Sequence, residues 1–190
     1  IEGAGTSNIK IIGVEKLKDI SYNIMPDRIE AGSLLCMVAI TGGKLKLNNV
    51  IIDNISPIIN KLEEAGCKIL KEKNSIYMEA PKKLKSVDIK TMPYPGFPTD
   101  MQSVFASMLT MAKGTSVIVE NIFENRYKYM SELKKMGAKV TVEGKTAIVK
   151  GVRKLSGARV FSTDLRGGAA LVTAALAAKG KTEVLNIEYI

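Results

Sequence analysis

Three similar helix starts, each running into a hydrophobic stretch, constrain this chain more than any other feature. They read Met25-Pro26-Asp27-Arg28-Ile29-Glu30, Phe97-Pro98-Thr99-Asp100-Met101-Gln102 and Phe161-Ser162-Thr163-Asp164-Leu165-Arg166. Aligning Arg28, Asp100 and Asp164 gives steps of 72 and 64 residues. Each stretch then passes through a glycine turn to a β-rich segment ending near Asn: Gly43 to Asn49, Gly114 to Asn121, Gly180 to Asn186. Recurrence at such a period means one supersecondary unit stacked on copies of itself. The predicted helices Ala31–Ile40, Met101–Ala112 and Leu165–Ala178 are apolar all round and rich in small residues such as Ala106, Ser107, Gly168 and Ala174. A helix without a polar face must be buried among other elements. The pattern therefore predicts three such helices packed together inside a shell of sheets, with their N-termini meeting at one end.

Strands are expected at Ile9–Val14, Tyr22–Met25, Lys44–Val50, Ser116–Glu120 and Thr182–Ile187. Ser56–Ala65 has an amphipathic helical pattern, with Ser56 as N-cap and Pro57 at the first helical position. Tyr127–Met136 is its counterpart, and Gly66 and Gly137 supply the stops. Hairpins follow at Lys68–Lys71 with Ser75–Glu79, and at Lys139–Glu143 with Thr146–Lys150. These second helices superpose at a step of 71, Leu62 with Leu133 and Gly66 with Gly137. The third unit ends at Ile190, after its strand, and is expected to be a truncated copy.

At 190 residues the chain has room for one or two domains. A hydrophobic share of 46% with 25% charge is ordinary for a soluble globular protein. No apolar run approaches the roughly 18–20 residues needed to span a bilayer, and no basic-then-apolar signal segment opens the chain. Two cysteines and no histidine argue against a zinc site and for a reducing cytoplasm with free thiols, Cys36 being buried in the first core helix. The net charge of +9 fits two readings. Clustered lysines could face nucleic acid, yet few aromatic residues interleave with them as stacking platforms. A cleft that concentrates a small anionic substrate makes better use of the charge.

Several residues stand where chemistry could collect. Thr99-Asp100-Met101-Gln102 has a capping-box pattern, which frees Asp100 from capping. Asp100 is then either an acid in the first turn, stabilised by the helix dipole by about 0.3–1 kcal/mol, or a carboxylate that accepts a proton from a bound hydroxyl. Glu124-Asn125-Arg126 is either a polar-ligand loop or solvated surface charge. Arg126 and Arg166 are the better candidates for a carboxylate or phosphate clamp, since guanidinium offers paired donors. Asp164-Leu165-Arg166 equally suits a structural pair, and Asp27-Arg28 a structural or interface role. Gly167-Gly168 indicates close helix packing, and the nine methionines indicate pliable core filling.

At these residues the chain resembles the sugar-nucleotide enolpyruvyl transferases. The pieces that carry the likeness are Met25–Glu30, Pro95–Gln102, Phe123–Tyr127, Glu132-Leu133 with Met136-Gly137-Ala138, and Ser162–Arg166, in family order across almost the whole chain. The resemblance implies an α+β fold of repeated βαβαββ units about a pseudo-threefold axis, an inside-out α/β barrel. It implies residues 1–22 as the exit from a missing N-terminal domain and 23–190 as the transferase-like domain, with repeats at about 23–90, 91–157 and a truncated 158–190. The implied substrates are UDP-N-acetylglucosamine and phosphoenolpyruvate, meeting in the cleft between the two domains, with no cofactor, metal, nucleic acid or membrane. Asp100 matches the aspartate that binds the sugar 3-hydroxyl and is its candidate base, and Ile122 a backbone contact to the sugar nucleotide. Arg126 and Arg166 match arginines around the phosphoenolpyruvate carboxylate, and Asp164 a carboxylate that moves a proton at its methylene carbon. Tyr129 and Tyr189 replace expected histidines, and Gly167 an expected alanine. A lysine–asparagine pair and a mobile-loop cysteine belong to the missing domain, so Cys36 and Cys67 are not assigned that role, and a third arginine is expected beyond Ile190. The isolated chain is therefore expected not to turn over. Alternatives are the related 3-phosphoshikimate enzyme, which shares the fold, a basic repeat module that encircles nucleic acid, and a non-catalytic interaction domain.

Overall fold

The structure, a computed structural model, describes every residue except Gly5 and Ser7. Three helices, α1 (Arg28–Thr41), α3 (Thr99–Leu109) and α5 (Leu165–Ala177), pack pairwise against one another. Every α3 residue from Met101 to Leu109 is buried, as its all-round apolar sequence requires. Close approach of α1 to α3 depends on Gly32, since a Cβ there would lie 2.9 Å from the Met101 sulfur and from Ile58 Cδ1. Phe105 packs edge-on against Phe97, with ring centroids 5.3 Å apart.

Sheets surround these helices. Strands β1 (Lys44–Asn48), β2 (Lys68–Lys71) and β3 (Ser75–Glu79) form an antiparallel sheet in the order β1-β3-β2, and α2 (Ser56–Glu64) joins β1 to β2. The second unit contributes β4 (Ile89–Lys90), β5 (Thr115–Val119), α4 (Tyr129–Lys135), β6 (Lys139–Glu143) and β7 (Thr146–Lys150). Its sheet runs β4-β5-β7-β6, with β4 parallel to β5 and the rest antiparallel. In the third unit β8 (Leu155–Ser156) and β9 (Arg159–Phe161) pair in parallel with β10 (Ala178–Lys179) and β11 (Glu183–Leu185). The chain is therefore an α+β fold of repeated units about a pseudo-threefold axis.

The registers correct the repeat step. Adding 71 to Leu47 and Ile76, paired across β1 and β3, gives Ile118 and Ala147, paired across β5 and β7. The same step takes Arg28, the first residue of α1, to Thr99, the first of α3. Between the second and third units, Ile89–Ile118 recurs as Val160–Val184, so one partner moves by 71 and the other by 66. The missing five residues (71 − 66) fall between β9 and α5, where the second unit carries the longer loop into α3. Arg28, Asp100 and Asp164 are thus not equivalent. Asp27 and Asp164 are helix caps, whereas Asp100 lies one residue inside its helix and corresponds to Ile29 and Arg166.

Three local expectations also change. Ile9–Val14 and Tyr22–Met25 form no strand: apart from the Glu2–Lys10 bridge they find no ladder partner among the described residues, and a strand needs one. Ser56 is already helical and its hydroxyl turns back to the Asp53 carbonyl at 3.0 Å, so α2 has no side-chain cap. A 3-10 turn at Ile52–Ile55 leads into it instead. Gly66 and Gly137 do end α2 and α4, with φ of 100° and 92°. Both cysteines are free and buried, and burial pushes the Cys67 thiol up to about 11.

Candidate active site

The N-termini of α3 and α5 meet at one rim. Ser103 of α3 donates to the Arg166 carbonyl at 2.7 Å, which ties α3, one turn in from its start, to the first turn of α5. At the rim, the Asp100 carboxylate lies between two guanidinium groups. Arg126 Nη2 donates to its Oδ1, and Arg166 Nη2 donates to its Oδ2 at 2.9 Å. The structure thus brings together three residues that the sequence singles out. The Asp100 side chain is 39% exposed against 16% for Arg126, so the carboxylate faces outward while the cation beside it is largely enclosed.

Each member of the trio is held by its own element. Arg126 comes from the loop before α4 and stacks on the Phe123 ring, 4.6 Å from its centroid, an arrangement worth about 0.5–2 kcal/mol. Its Nε is buried without a hydrogen-bond partner among the described residues. Arg166 is the second residue of α5, whose cap is Asp164. Asp164 Oδ1 accepts from the Arg166 and Gly167 N–H groups at 3.0 and 2.9 Å, and Oδ2 accepts from the Thr163 hydroxyl at 3.0 Å. Asp164 therefore aims Arg166 through the backbone and, among the described residues, makes no hydrogen bond to Asp100 or to either guanidinium group. Ile122 is exposed, and its N–H is already bonded to Glu120. Glu124 is exposed, so of the Glu124-Asn125-Arg126 motif only the arginine joins the trio.

The capping box expected at Thr99–Gln102 does not form. Pro98 occupies the cap position, and Thr99, already helical, donates its hydroxyl to the Glu120 carboxylate at 3.0 Å. One residue past the cap, the Thr99 oxygen is not placed to accept the orphan amides of the first turn. Gln102 turns inward, and its Oε1 accepts from the Tyr129 hydroxyl at 3.2 Å. Burial raises the Tyr129 phenol well above its ordinary range, so it is a neutral donor there. Tyr127, pushed up to about 12 by burial, donates to the Ile118 and Lys145 carbonyls.

Sequence reasoning misses two acids. Glu132 bridges α4 to β9, pairing with Lys135 at 2.7 Å and accepting from the Phe161 N–H at 2.9 Å. Glu120 is 1% exposed and organises the loop that carries Ile122. The corrected step would have exposed it, because it sets Glu120 against Asn49 and Asn186.

A partly exposed carboxylate clasped by two guanidinium groups at a helix N-terminus has the chemistry to bind an anion and to accept a proton. Over residues 1–190 the chain matches the family described as EPSP synthase (3-phosphoshikimate 1-carboxyvinyltransferase), and it belongs to that family. Within it, the chain is 52% identical over its whole length to UDP-N-acetylglucosamine 1-carboxyvinyltransferase 1 of Caldanaerobacter subterraneus subsp. tengcongensis, covering 46% of that protein. It is 52% identical to the UDP-N-acetylglucosamine 1-carboxyvinyltransferase of Desulfofundulus thermocisternus, again along its whole length, and covers 79% of that protein. The chain thus spans about half the length of the first curated relatives it matches, 46% in the case given. Among solved structures, the enolpyruvyl transferase NikO from Streptomyces tendae superposes with a TM-score of 0.79 at 26% identity, covering 88% of this chain and 40% of that one. EPSP synthase from Acinetobacter baumannii shares the fold, with a TM-score of 0.66 at 17% identity, over 86% of this chain and 39% of that one.

Proposed function

We propose that this chain is the C-terminal portion of a longer enzyme that moves the enolpyruvyl group of phosphoenolpyruvate to the 3-hydroxyl of UDP-N-acetylglucosamine. Residues 23–190 form its transferase-like domain, and 1–22 lead in from the other domain. The observation that carries this reading is the Asp100 carboxylate set between Arg126 and Arg166 at the meeting helix ends. The names of relatives near 50% identity support the sugar nucleotide over 3-phosphoshikimate. The enzyme works in the cytoplasm, which suits two unoxidised buried thiols.

Roles follow from the chemistry of each group. Phosphoenolpyruvate brings a carboxylate and a phosphate, both matched by forked guanidinium donors. As Arg126 and Arg166 turn to that anion, the Asp100 carboxylate loses its partners and accepts the proton of the attacking sugar hydroxyl. The C–O bond forms at C2 and the methylene carbon takes a proton, giving a tetrahedral intermediate. Loss of a proton from that carbon and of phosphate from C2 then regenerates the enol ether. Asp164 is the candidate for the proton steps at that carbon, and it also aims Arg166 through its cap. Ile122 contributes a backbone contact to the sugar nucleotide.

The test is phosphate release by the full polypeptide that carries this chain, given phosphoenolpyruvate with UDP-N-acetylglucosamine or with shikimate 3-phosphate. Release with the sugar nucleotide alone is expected, and the 190-residue chain by itself should not exceed a buffer blank. Release with shikimate 3-phosphate alone would overturn the substrate assignment.

A further inference from the structure

Glu120 directly follows β5 and is enclosed, yet its carboxylate accepts four hydrogen bonds. Oε1 takes the Thr91 hydroxyl at 2.7 Å and the Ile122 and Phe123 N–H groups at 2.8 and 3.2 Å. Oε2 takes the Thr99 hydroxyl at 3.0 Å. A buried carboxylate is costly unless donors surround it. Here three of the four donors come from the two segments that build the corner, and the fourth, Thr91, follows β4. Thr99 immediately precedes Asp100, and Phe123 carries the ring on which Arg126 rests.

The internal repeat shows that the scaffold does not need an acid at this point. The residues that follow β1 and β11 are Asn49 and Asn186, and both are left-handed, with φ of 59° and 57°. They are the two non-glycine residues with positive φ among those described, and Glu120 is not one of them. Its own N–H donates to the Lys145 carbonyl at 2.8 Å, a bond that the first unit makes from Val50 to Asn74 at 3.0 Å. The second unit has therefore dropped the left-handed residue and put a four-fold hydrogen-bonded carboxylate in its place, in the unit whose helix carries Asp100 in its first turn.

We infer that Glu120 is a positioning residue. Its carboxylate fixes the Ile122–Phe123 backbone against the first turn of α3, so that the sugar nucleotide meets Ile122 and Asp100 in a single arrangement. The inference rests on the proposed function for the identity of the ligand and on geometry alone for the coupling. Two parts of the site should respond differently to its loss. Ile122 is held chiefly by Glu120, whereas Arg166, which faces the other side of Asp100, is held by the α5 cap.

The test compares wild type, Glu120→Gln and Glu120→Ala in the full polypeptide by amide hydrogen exchange and by steady-state kinetics. Ile122 and Phe123 amides should be protected in wild type and exchange about tenfold faster or more in Glu120→Ala, with Glu120→Gln between, as loss of buried hydrogen bonds implies. KM for UDP-N-acetylglucosamine should rise about tenfold in Glu120→Ala, equivalent to about 1.4 kcal/mol, while KM for phosphoenolpyruvate rises clearly less, because Arg166 keeps its α5 cap even where Arg126 loosens with Phe123. Glu120→Gln, which keeps one acceptor oxygen, should recover part of the loss. Unchanged exchange at both amides would overturn the inference. So would an equal rise of both KM values together with a lower unfolding midpoint, the mark of a merely structural role. If the wild-type polypeptide does not use the sugar nucleotide, the functional reading falls, and the exchange comparison still decides whether Glu120 holds the loop.

Discussion

The first and second units share one plan at a step of 71 residues, and they differ where chemistry would be placed. At the second helical position the first unit has Ile29, buried in the core, while the second has Asp100 and the third Arg166. The pseudo-threefold axis brings the second and third of these positions together, so a single step of symmetry sets a carboxylate against a guanidinium, 2.9 Å apart. The corresponding corner of the first unit instead holds Arg28 over the Tyr94 ring at 5.1 Å, beside a cleft of about 230 Å³. Its acid, Asp27, is a cap that accepts from the Ile29 N–H at 2.7 Å. Symmetry builds the rod-and-sheet frame; departures from symmetry make the site.

Substitutions at matched places sharpen that contrast. Asp100→Asn keeps the shape of the side chain but removes the proton acceptor, and turnover by the full polypeptide should fall by about 10²–10⁴-fold. Asp27→Asn should leave turnover within about twofold, because asparagine caps a helix as well as aspartate does. Equal losses at the two positions would mean that Asp100 is another structural acid. A second contrast concerns the rods themselves. Phe105 on α3 is fully enclosed, whereas Leu34 on α1 is 39% exposed. Phe105→Ala should cost about 3–5 kcal/mol in chemical denaturation, and Leu34→Ala within about 0.5 kcal/mol. Similar costs would contradict a bundle centred on α3.

Much of the frame was legible in the sequence. The hairpin strands Lys68–Lys71, Ser75–Glu79, Lys139–Glu143 and Thr146–Lys150 fall at the expected residues, because glycine stops and period-two patterns are local signals. The burial of α3 followed from its lack of a polar face. Asp100, Arg126 and Arg166 could be named from residue type and place, and the folded chain brings them into contact. Glu120 could not, since an acid at the end of a strand reads as solvated charge until Thr91 and Thr99, 29 and 21 residues earlier in the chain, fold onto it. The capping box failed because the helix starts one residue early: Pro98 takes the cap position, and Thr99, already helical, donates to a carboxylate 21 residues away. The absent strands near the N-terminus had a plausible local pattern and no edge to pair with.

A smaller effect than that at Phe105 tests the claim that Asn49 and Glu120 occupy corresponding places with unlike duties. At φ 59° a side chain with a Cβ is strained, and asparagine tolerates that backbone better than most residues. Asn49→Ala should therefore destabilise the chain by about 1 kcal/mol, while Asn49→Gly should cost less, because glycine has no Cβ to clash. The readout is the urea midpoint of each variant, with hydrogen exchange at Ile122 followed in parallel. Asn49→Ala should leave Ile122 exchange as it is in wild type, since no hydrogen bond links the first unit's turn to that loop among the described residues. A change at Ile122 on replacing Asn49 would mean that the two turns report on each other. The carboxylate at Glu120 would then no longer be separable from the scaffold that surrounds it.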